Sequence, residues 1–262
     1  MGDRMNRICV IIPMYGKAEY TDRCVELVKQ NAGVEVQILV VDDGSALPYK
    51  LGLGFELLSL PLNLGFTGAT NAGILWAQKA DYDYVHCLNN DTEPQPDFIK
   101  HQLDVMESDP TVGICGSVRR YPDGRREMCG ADLIRGHQYF APLDMPDTPL
   151  DVTWLPICSS LIRMDMIREI GILDSRFRNH CSDSDYCIQA KMRGWKVILV
   201  PKSEVIHHLS VTTKHENLDA GADQKLFIEK LAGLNYTMLM REMPLDCSTN
   251  TFGKLEFSTY KK

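Results

Sequence analysis

The chain has 262 residues, of which 44% are hydrophobic and 24% charged, values typical of a soluble globular protein. Its formal net charge of −7 argues against a general nucleic-acid binder. No apolar run approaches the ~20 residues of a membrane-spanning helix, so we expect neither an integral membrane segment nor a signal peptide. The nine cysteines are scattered without a CxxC pair, which is typical of reduced thiols and predicts a cytoplasmic protein.

Apolar runs alternate with helical patterns through the first half of the chain. This alternation predicts an α/β fold with a Rossmann-like, mostly parallel central sheet flanked by helices. In such sheets, ligands bind beyond the carboxyl ends of the strands. The predicted strands are 7–13, 36–41, 55–60, 84–88 and 112–118, and the predicted helices are 20–30, 66–79 and 98–107.

The second half has a less regular pattern. A turn at 121–125 predicts a hairpin, and its flanking arginines indicate either a solvated face or a phosphate site. The last predicted helix belongs to a C-terminal helical appendage, residues 211–262, which packs on the core or joins subunits into an oligomer. Further predicted strands are 153–163, 196–200 and 205–208, and further predicted helices are 164–170, a helix opened by the 182–185 segment, and 224–243.

Carboxylates stand at three predicted element ends. Asp42 and Asp43 follow a strand, Asp91 follows another, and Asp183 and Asp185 fall in the first turn of a helix. Each has an ordinary explanation, because Asp is common in turns and in the first turn of helices. Together they favour a site for a divalent metal and a phosphorylated ligand.

Two other features allow a functional or a purely structural interpretation. The glycines of segment 63–71 would let backbone N–H groups and a helix N-terminus approach a ligand, although close helix–strand packing is the better explanation for Gly68 and Ala72. His207 and His208 follow a strand and can be surface residues. A zinc site with Cys181 and Cys187 has no common ligand spacing.

The order of these motifs resembles a family 2 glycosyltransferase, and most closely the bacterial rhamnosyltransferase-like branch. The motifs are VIIPMY at 10–15, VVDDGS at 40–45, NLGFTGATNAG at 63–73, LNNDTEP at 88–94, GILD at 171–174, DSDYC at 183–187 and GWK at 194–196. The resemblance implies a GT-A fold within residues 1–210. In that fold a nucleotide-sugar-binding half, 7–118, precedes an acceptor half, 119–210.

The same resemblance implies roles for individual residues. Asp183 corresponds to the catalytic base, with Asp185 beside it. Asp91 corresponds to the metal ligand of the Asp-x-Asp position, and His207 (or His208) to a second ligand for Mn²⁺ or Mg²⁺. The expected donor-binding residues are Pro13, Tyr15, Asp42, Asp43, Asn63, Gly65, Asn71, Asn89 and Asn90.

Three positions depart from the family pattern. Gly16 replaces an Asn in the first loop, and Asn89 replaces the first acid of Asp-x-Asp, which leaves one carboxylate for the metal. Ser182 replaces the Glu that precedes the base, which bears on acceptor contacts.

The resemblance implies an inverting transfer from a dTDP- or UDP-linked sugar, rhamnose among the candidates, to a glycan or lipid-linked acceptor. A lipid-linked acceptor would bring the protein to the membrane surface. Two alternatives remain. One is a sugar-phosphate nucleotidyltransferase, although the loop at 13–17 lacks that class's Gly-rich basic pattern. The other is a non-catalytic sugar-nucleotide or glycan-binding module.

Overall fold

The computed structural model describes residues 7–50, 52, 54–127, 129–134, 137–140, 147–208 and 221–234. Its strands are β1 Ile8–Met14, β2 Gln37–Asp42, β3 Glu56–Ser59, β4 Tyr84–Leu88, β5 Thr92–Pro94, β6 Val112–Arg120, β7 Asp132–Ile134, β8 His137–Phe140, β9 Leu150–Asp151, β10 Ser159–Arg163 and β11 Lys196–His207. Its helices are α1 Ala18–Asn31, α2 Gly65–Lys79, α3 Phe98–Ser108, α4 Met164–Ile170, α5 Ser182–Met192 and α6 Gly221–Gly233.

Nine strands form one sheet in the order β3-β2-β1-β4-β10-β6-β11-β5, with β9 paired to β11. Strands β1 to β4 are parallel to one another. Strand β10 runs antiparallel to both β4 and β6, so β6 and its parallel neighbour β11 point the same way as β1 to β4. The predicted mostly parallel sheet flanked by helices is therefore confirmed.

The sheet is buried on both faces, which explains the continuous apolar runs of its central strands. Side chains of β1 alternate between two cores: Cys9 and Ile11 lie in one, and Val10 and Ile12 in the other. The first core includes residues of α2, α4 and α5, and the second includes residues of α1 and α3. This packing fixes the carboxyl ends of the parallel strands at one edge of the sheet.

The structure differs from the predicted elements in two places. Only Ser159–Arg163 of the segment 153–163 is a strand, because the segment before it includes Pro156, which has no N–H for a sheet ladder. The two strands predicted at 196–200 and 205–208 are one strand, β11. A register shift between Val200 and Glu204 lets β11 continue past Pro201.

Helix α6 overlaps the predicted C-terminal helix 224–243 but begins earlier, at Gly221, and residues 235–243 lie outside the described part. Its buried residues Phe227 and Leu231 pack against Phe177 and Ile188 of the same chain. This contact favours packing on the core over joining subunits. The proposed domain boundary at residue 210 also lies outside the described residues.

Among the described residues, no helix has both the length and the apolar character needed to cross a bilayer. The eight cysteines in the described part are free thiols, and all but Cys181 are buried.

Candidate active site

The carboxyl ends of β1, β2, β4, β6 and β11 form one edge of the sheet, because these five strands are parallel. Asp42 is paired with Met14 at the ends of β2 and β1. His207, the last residue of β11, is paired with Thr92, which directly follows Asp91. Side chains from distant parts of the sequence therefore meet beyond this edge, where open α/β sheets bind ligands.

Asp91 and His207 are in direct contact. Nε2 of His207 lies 3.3 Å from Oδ1 of Asp91, and its Nδ1 lies 2.9 Å from Oε2 of Glu127. Burial alone would lower the pKa of His207, but the hydrogen bonds with Asp91 and Glu127 raise it to about 10. The two carboxylates therefore favour the protonated form of the ring, which lies between them.

His207 and His208 have different side-chain partners. The side chain of His208 turns to Glu93, with Nε2 3.2 Å from Oε1, and its ring lies edge-on to Tyr20. A cleft of about 180 Å³ against Asp91 is lined partly by these three residues. His207, and not His208, thus has a ring nitrogen beside the Asp91 carboxylate.

A buried ion pair extends this chain of contacts toward α5. Nη1 of Arg119 lies 3.0 Å from Oε1 of Glu127, and both side chains are about nine-tenths buried. The same guanidinium nitrogen donates to Sγ of Cys158 at 3.2 Å. Arg119 also lies near enough to Asp183 to lower the pKa of that carboxyl. Glu127 and Arg119 therefore link the Asp91–His207 pair to Asp183.

Asp183 is the second residue of α5, in its first turn, and is partly buried. Burial raises the pKa of Asp183, while the Ser184 amide, the Arg119 charge and a hydrogen bond with Trp154 lower it. Burial is the main cause in the structure, and it leaves a carboxylate with raised proton affinity, as a general base needs.

Asp185 lies in a different environment from Asp183. The two residues are two positions apart on a helix, so their side chains point to opposite sides. Asp185 is buried, and its Oδ2 accepts a 2.7 Å hydrogen bond from Nζ of Lys230 on α6. Asp185 is therefore bonded to Lys230 in this structure, and the catalytic role expected from the sequence stays a prediction.

Asp42 and Asp43, at the end of β2, both accept hydrogen bonds from backbone N–H groups. Asp42 accepts from the N–H groups of Ser45 at 3.0 Å and Tyr49 at 2.9 Å. Asp43 accepts from Leu64 at 2.7 Å and Gly65 at 2.9 Å. Both carboxylates therefore shape the edge loops in this structure.

The N-terminus of α2 is fully capped by protein groups. Phe66 N–H donates to Oδ1 of Asn179 at 2.9 Å, and Thr67 N–H donates to the carbonyl of Arg178 at 3.0 Å. Gly65 has a φ of +77°, and a Cβ there would lie 2.6 Å from the Arg178 side chain, so only glycine fits. The sequence suggested that this N-terminus receives a ligand, but in this structure a loop of the same chain occupies it.

The expected donor-binding asparagines have different surroundings. Asn71 bonds the backbone of Leu173 through both amide atoms, at 2.8 and 3.1 Å, which is a structural contact. Asn63 accepts from Arg178 at 2.7 Å, and Asn90 donates to Thr21 at 3.0 Å. Oδ1 of Asn89 is buried without a hydrogen-bond partner among the described residues, so it is available to a ligand.

Pro13 and Tyr15 lie at the end of β1. Pro13 is buried and paired with Val41 of β2, and Tyr15 is partly exposed in the loop that follows. The neighbouring Gly16 N–H donates to Oγ of Ser45, which joins this loop to the one after β2. Both residues therefore lie beside the Asp42 loop.

No motif of the sequence indicates a site role for Glu127 or Trp154, and Arg119 is only one of several arginines that flank the predicted hairpin. The predicted hairpin is present, with Arg120 bridged to Arg126, and it returns Glu127 to the sheet edge. Arg120 pairs with Glu204, and Arg125 pairs with Asp123. The hairpin signal could have located Glu127 opposite Arg119, had its register been considered.

The residues fit a divalent cation only with help from a ligand. Within the part of the chain that the structure describes, no three His, Cys, Asp or Glu side chains are grouped to hold an ion. Asp91 and His207 offer two ligands, so substrate oxygens or water would have to complete the shell. Cys187 is buried and bonded to the Leu155 carbonyl, which argues against the zinc arrangement.

This sheet, with acidic side chains at one edge, is that of a GT-A glycosyltransferase. The model of glycosyl transferase family 2 matches residues 9–171, well over half of the chain. The chain belongs to glycosyl transferase family 2, as its motifs indicated, and it is a glycosyltransferase.

Known proteins agree with this assignment. The chain is 26% identical over 243 residues to an N-acetylglucosaminyl-diphospho-decaprenol L-rhamnosyltransferase of Mycobacterium tuberculosis, covering 78% of this chain and 76% of the relative. Among solved structures, it resembles GalNAc-T7 with UDP, GalNAc and Mn²⁺, with a TM-score of 0.61, 16% identity, and coverage of 78% of this chain and 44% of that one. A Pyrobaculum calidifontis mannosyltransferase with GDP-Man and Mn²⁺ gives a TM-score of 0.55 and 14% identity, covering 80% of this chain.

The chain spans less than two thirds of these two solved chains, 44% and 59% respectively. At such identities the structural likeness shows the GT-A fold, and the sequence relative supports the transfer of a sugar.

Proposed function

We propose that this protein is an inverting, divalent-metal-dependent glycosyltransferase. It moves a sugar from a dTDP- or UDP-linked donor, rhamnose being one candidate, to a hydroxyl of a glycan or lipid-linked acceptor. The observation that carries the proposal is the set of contacts from Asp91 through His207 and Glu127 to Arg119, whose charge acts on Asp183. It brings a group suited to bind a cation and a group suited to remove a proton to one sheet edge.

Asp91 and His207 would hold Mn²⁺ or Mg²⁺ together with the donor diphosphate. The ion supplies charge neutralisation for the departing nucleoside diphosphate. The Nδ1–H group of His207 donates a hydrogen bond to the Glu127 carboxylate. After Nε2 loses its proton, this nitrogen would be the ligand atom. Such a carboxylate–histidine arrangement is common behind metal-bound histidines.

Asp183 acts as the general base. The attacking hydroxyl loses its proton to Asp183 while it displaces the nucleotide in a single step, and that step inverts the anomeric centre. Arg119 keeps enough of this carboxylate ionised to work, while burial keeps its proton affinity above that of a solvated aspartate.

The donor lies against Pro13, Tyr15, Asp42, Asn63 and the other expected donor residues. In this structure Asp42 and Asp43 accept hydrogen bonds from backbone N–H groups. They would therefore contact the donor through oxygen lone pairs that these bonds do not use, or after the loops rearrange on binding. The buried Asn89 oxygen without a partner supports a ligand contact beside Asp91.

The acceptor class rests on the sequence relative, whose name describes a lipid diphosphate substrate. A lipid-linked acceptor would place the protein at the membrane surface during catalysis.

A donor panel tests the proposal. Nucleotide sugars are first screened by thermal shift with and without Mn²⁺, where a ligand at 100 times its dissociation constant adds about 2.7 kcal/mol to stability. Positive donors are then incubated with saccharide and lipid-linked acceptors, and the anomeric configuration of the product is read by NMR. Inversion with a requirement for divalent metal is expected. A retained configuration, or full activity in EDTA, would contradict the proposal.

A further inference from the structure

Helix α6 is bound to the loop that precedes α5 by a buried aspartate. Asp223 accepts three backbone N–H groups in succession, from Arg178 at 3.0 Å, Asn179 at 2.9 Å and His180 at 2.8 Å. Its side chain is buried, with 5% of the residue exposed. Three charge-assisted bonds on one carboxylate hold this loop in a single conformation.

That loop also contacts the segment expected to bind the donor. The Arg178 carbonyl and the Asn179 side chain accept the N–H groups of Thr67 and Phe66, the first free donors of α2. The Arg178 guanidinium reaches Asn63 at 2.7 Å. Asp223 thus acts on the donor segment through two residues of the loop.

A second contact of α6 acts on the base-bearing helix. Nζ of Lys230 lies 2.7 Å from Asp174 and 2.7 Å from Asp185, and all three side chains are mostly buried. Asp174 is also bonded by Arg176, and Lys230 lies over the Phe177 ring. Without Lys230, Asp185 would be a buried carboxylate with no bonded cation and with Asp174 beside it, two residues along α5 from Asp183.

We infer that α6 is a positioning element of the active site, in which Asp223 sets the donor segment and Lys230 sets the base-bearing helix. This rests on the proposed function, because it assumes a donor at 63–67 and a base at Asp183. The two contacts act on different elements, so their effects on turnover should be separable.

Three variants and a matched control test this assignment. Asp223→Asn keeps the size of the side chain but removes its charge and one acceptor. Lys230→Met removes the bridging cation, and Lys230→Arg restores a charge. Lys225→Ala is the control, because Lys225 is on the same helix, exposed to solvent and 3.9 Å from the exposed Glu229.

Hydrogen exchange is measured first, because it needs no turnover. Asp223→Asn should speed amide exchange at 178–180 and also at Phe66 and Thr67, by at least about tenfold. Lys225→Ala should change neither region. Faster exchange confined to 178–180 would overturn the link to the donor segment, and this result stands even if no donor supports transfer.

Steady-state kinetics test whether Asp223 and Lys230 act on different steps of turnover. They are measured at a temperature below the melting point of every variant. Asp223→Asn should raise the donor KM about tenfold with a smaller change in kcat. Lys230→Met should lower kcat about tenfold with an unchanged donor KM, and Lys230→Arg should recover most of it. If Asp223→Asn and Lys230→Met raised the donor KM and lowered kcat to the same extent, α6 would only stabilise the fold. A failure of Lys230→Arg to recover kcat would lead to the same conclusion.

Discussion

Nε2 of His207 lies 3.3 Å from Oδ1 of Asp91, although Asp91 lies between β4 and β5 and His207 is the last residue of the distant strand β11. The antiparallel pairing of β11 with β5 creates this contact, since it sets His207 opposite Thr92. Glu127 orients the His207 ring through a hydrogen bond with Nδ1. The pair is thus oriented before any ligand arrives.

Glu127→Gln should weaken Mn²⁺ binding. The carboxylate orients the His207 ring, and loss of such a partner typically costs 10–100-fold in metal affinity. Binding is measured by calorimetry in the presence of nucleoside diphosphate. Glu204→Gln is the control, because Glu204 pairs with Arg120 on neighbouring strands without contacting His207. Equal affinity in both variants would remove His207 from the ligand set.

Asp183→Asn should reduce kcat by about 10² or more while donor binding is retained. An amide of the same shape cannot accept the proton of the attacking hydroxyl. Donor affinity is read by thermal shift, and turnover by product release. Asp165→Asn is the matched control, because Asp165 on α4 pairs with Arg168 at the exposed surface. Near-normal transfer by Asp183→Asn would refute the assignment of the base.

The pH dependence of kcat should have an acidic limb above the ordinary aspartate range. Only the ionised base accepts a proton, so activity rises with pH through the raised pKa of Asp183. Arg119→Met should move this limb to higher pH, because the guanidinium lowers that pKa. Arg119→Lys, which retains a charge, should shift it less. A limb unmoved by Arg119→Met would mean that another group titrates.

The sheet and the strand-end acids could be predicted because they depend on local pattern. The alternation of strands and helices from β1 to β4 can be recognised in consecutive residues, and Asp91 comes three residues after the end of β4. The capping of α2 could not be predicted, because it depends on Arg178 and Asn179, more than 100 residues away. The helical period predicts that the side chains of Asp183 and Asp185 point to different sides of the helix. The partner of Asp185, Lys230 on α6, could not be predicted because the contact depends on tertiary packing.

Asn71→Ala should destabilise the fold without a matching loss of donor affinity. Both amide atoms bond the buried backbone of Leu173, so truncation leaves an N–H and a carbonyl unsatisfied. The expected loss is about 1–3 kcal/mol in the free energy of unfolding, measured by urea denaturation. Donor KM is measured on the same samples below their melting temperature. A tenfold rise in KM with unchanged stability would restore the donor-binding role expected from the sequence.

Asp43 should make the protein less stable as the pH rises from about 4 to 6. Burial raises the pKa of Asp43 to about 6, although the amides of Leu64 and Gly65 oppose the shift. In the unfolded chain the group titrates near its ordinary value of about 3.9. Between these values the folded state binds a proton that the unfolded state has lost, so the free energy of unfolding falls with pH and levels off above about 6.

Asp43→Asn tests that prediction. The amide cannot titrate, so the difference in unfolding free energy between wild type and variant should shrink as the pH rises through this window. The variant also loses one acceptor for the α2 amides, which adds a cost of about 1–2 kcal/mol at every pH. Urea denaturation from pH 4 to 7.5 separates the two effects, because only the titration changes the slope. Parallel curves for the two proteins would show that Asp43 is ionised throughout, and that its bonds to Leu64 and Gly65 outweigh its burial.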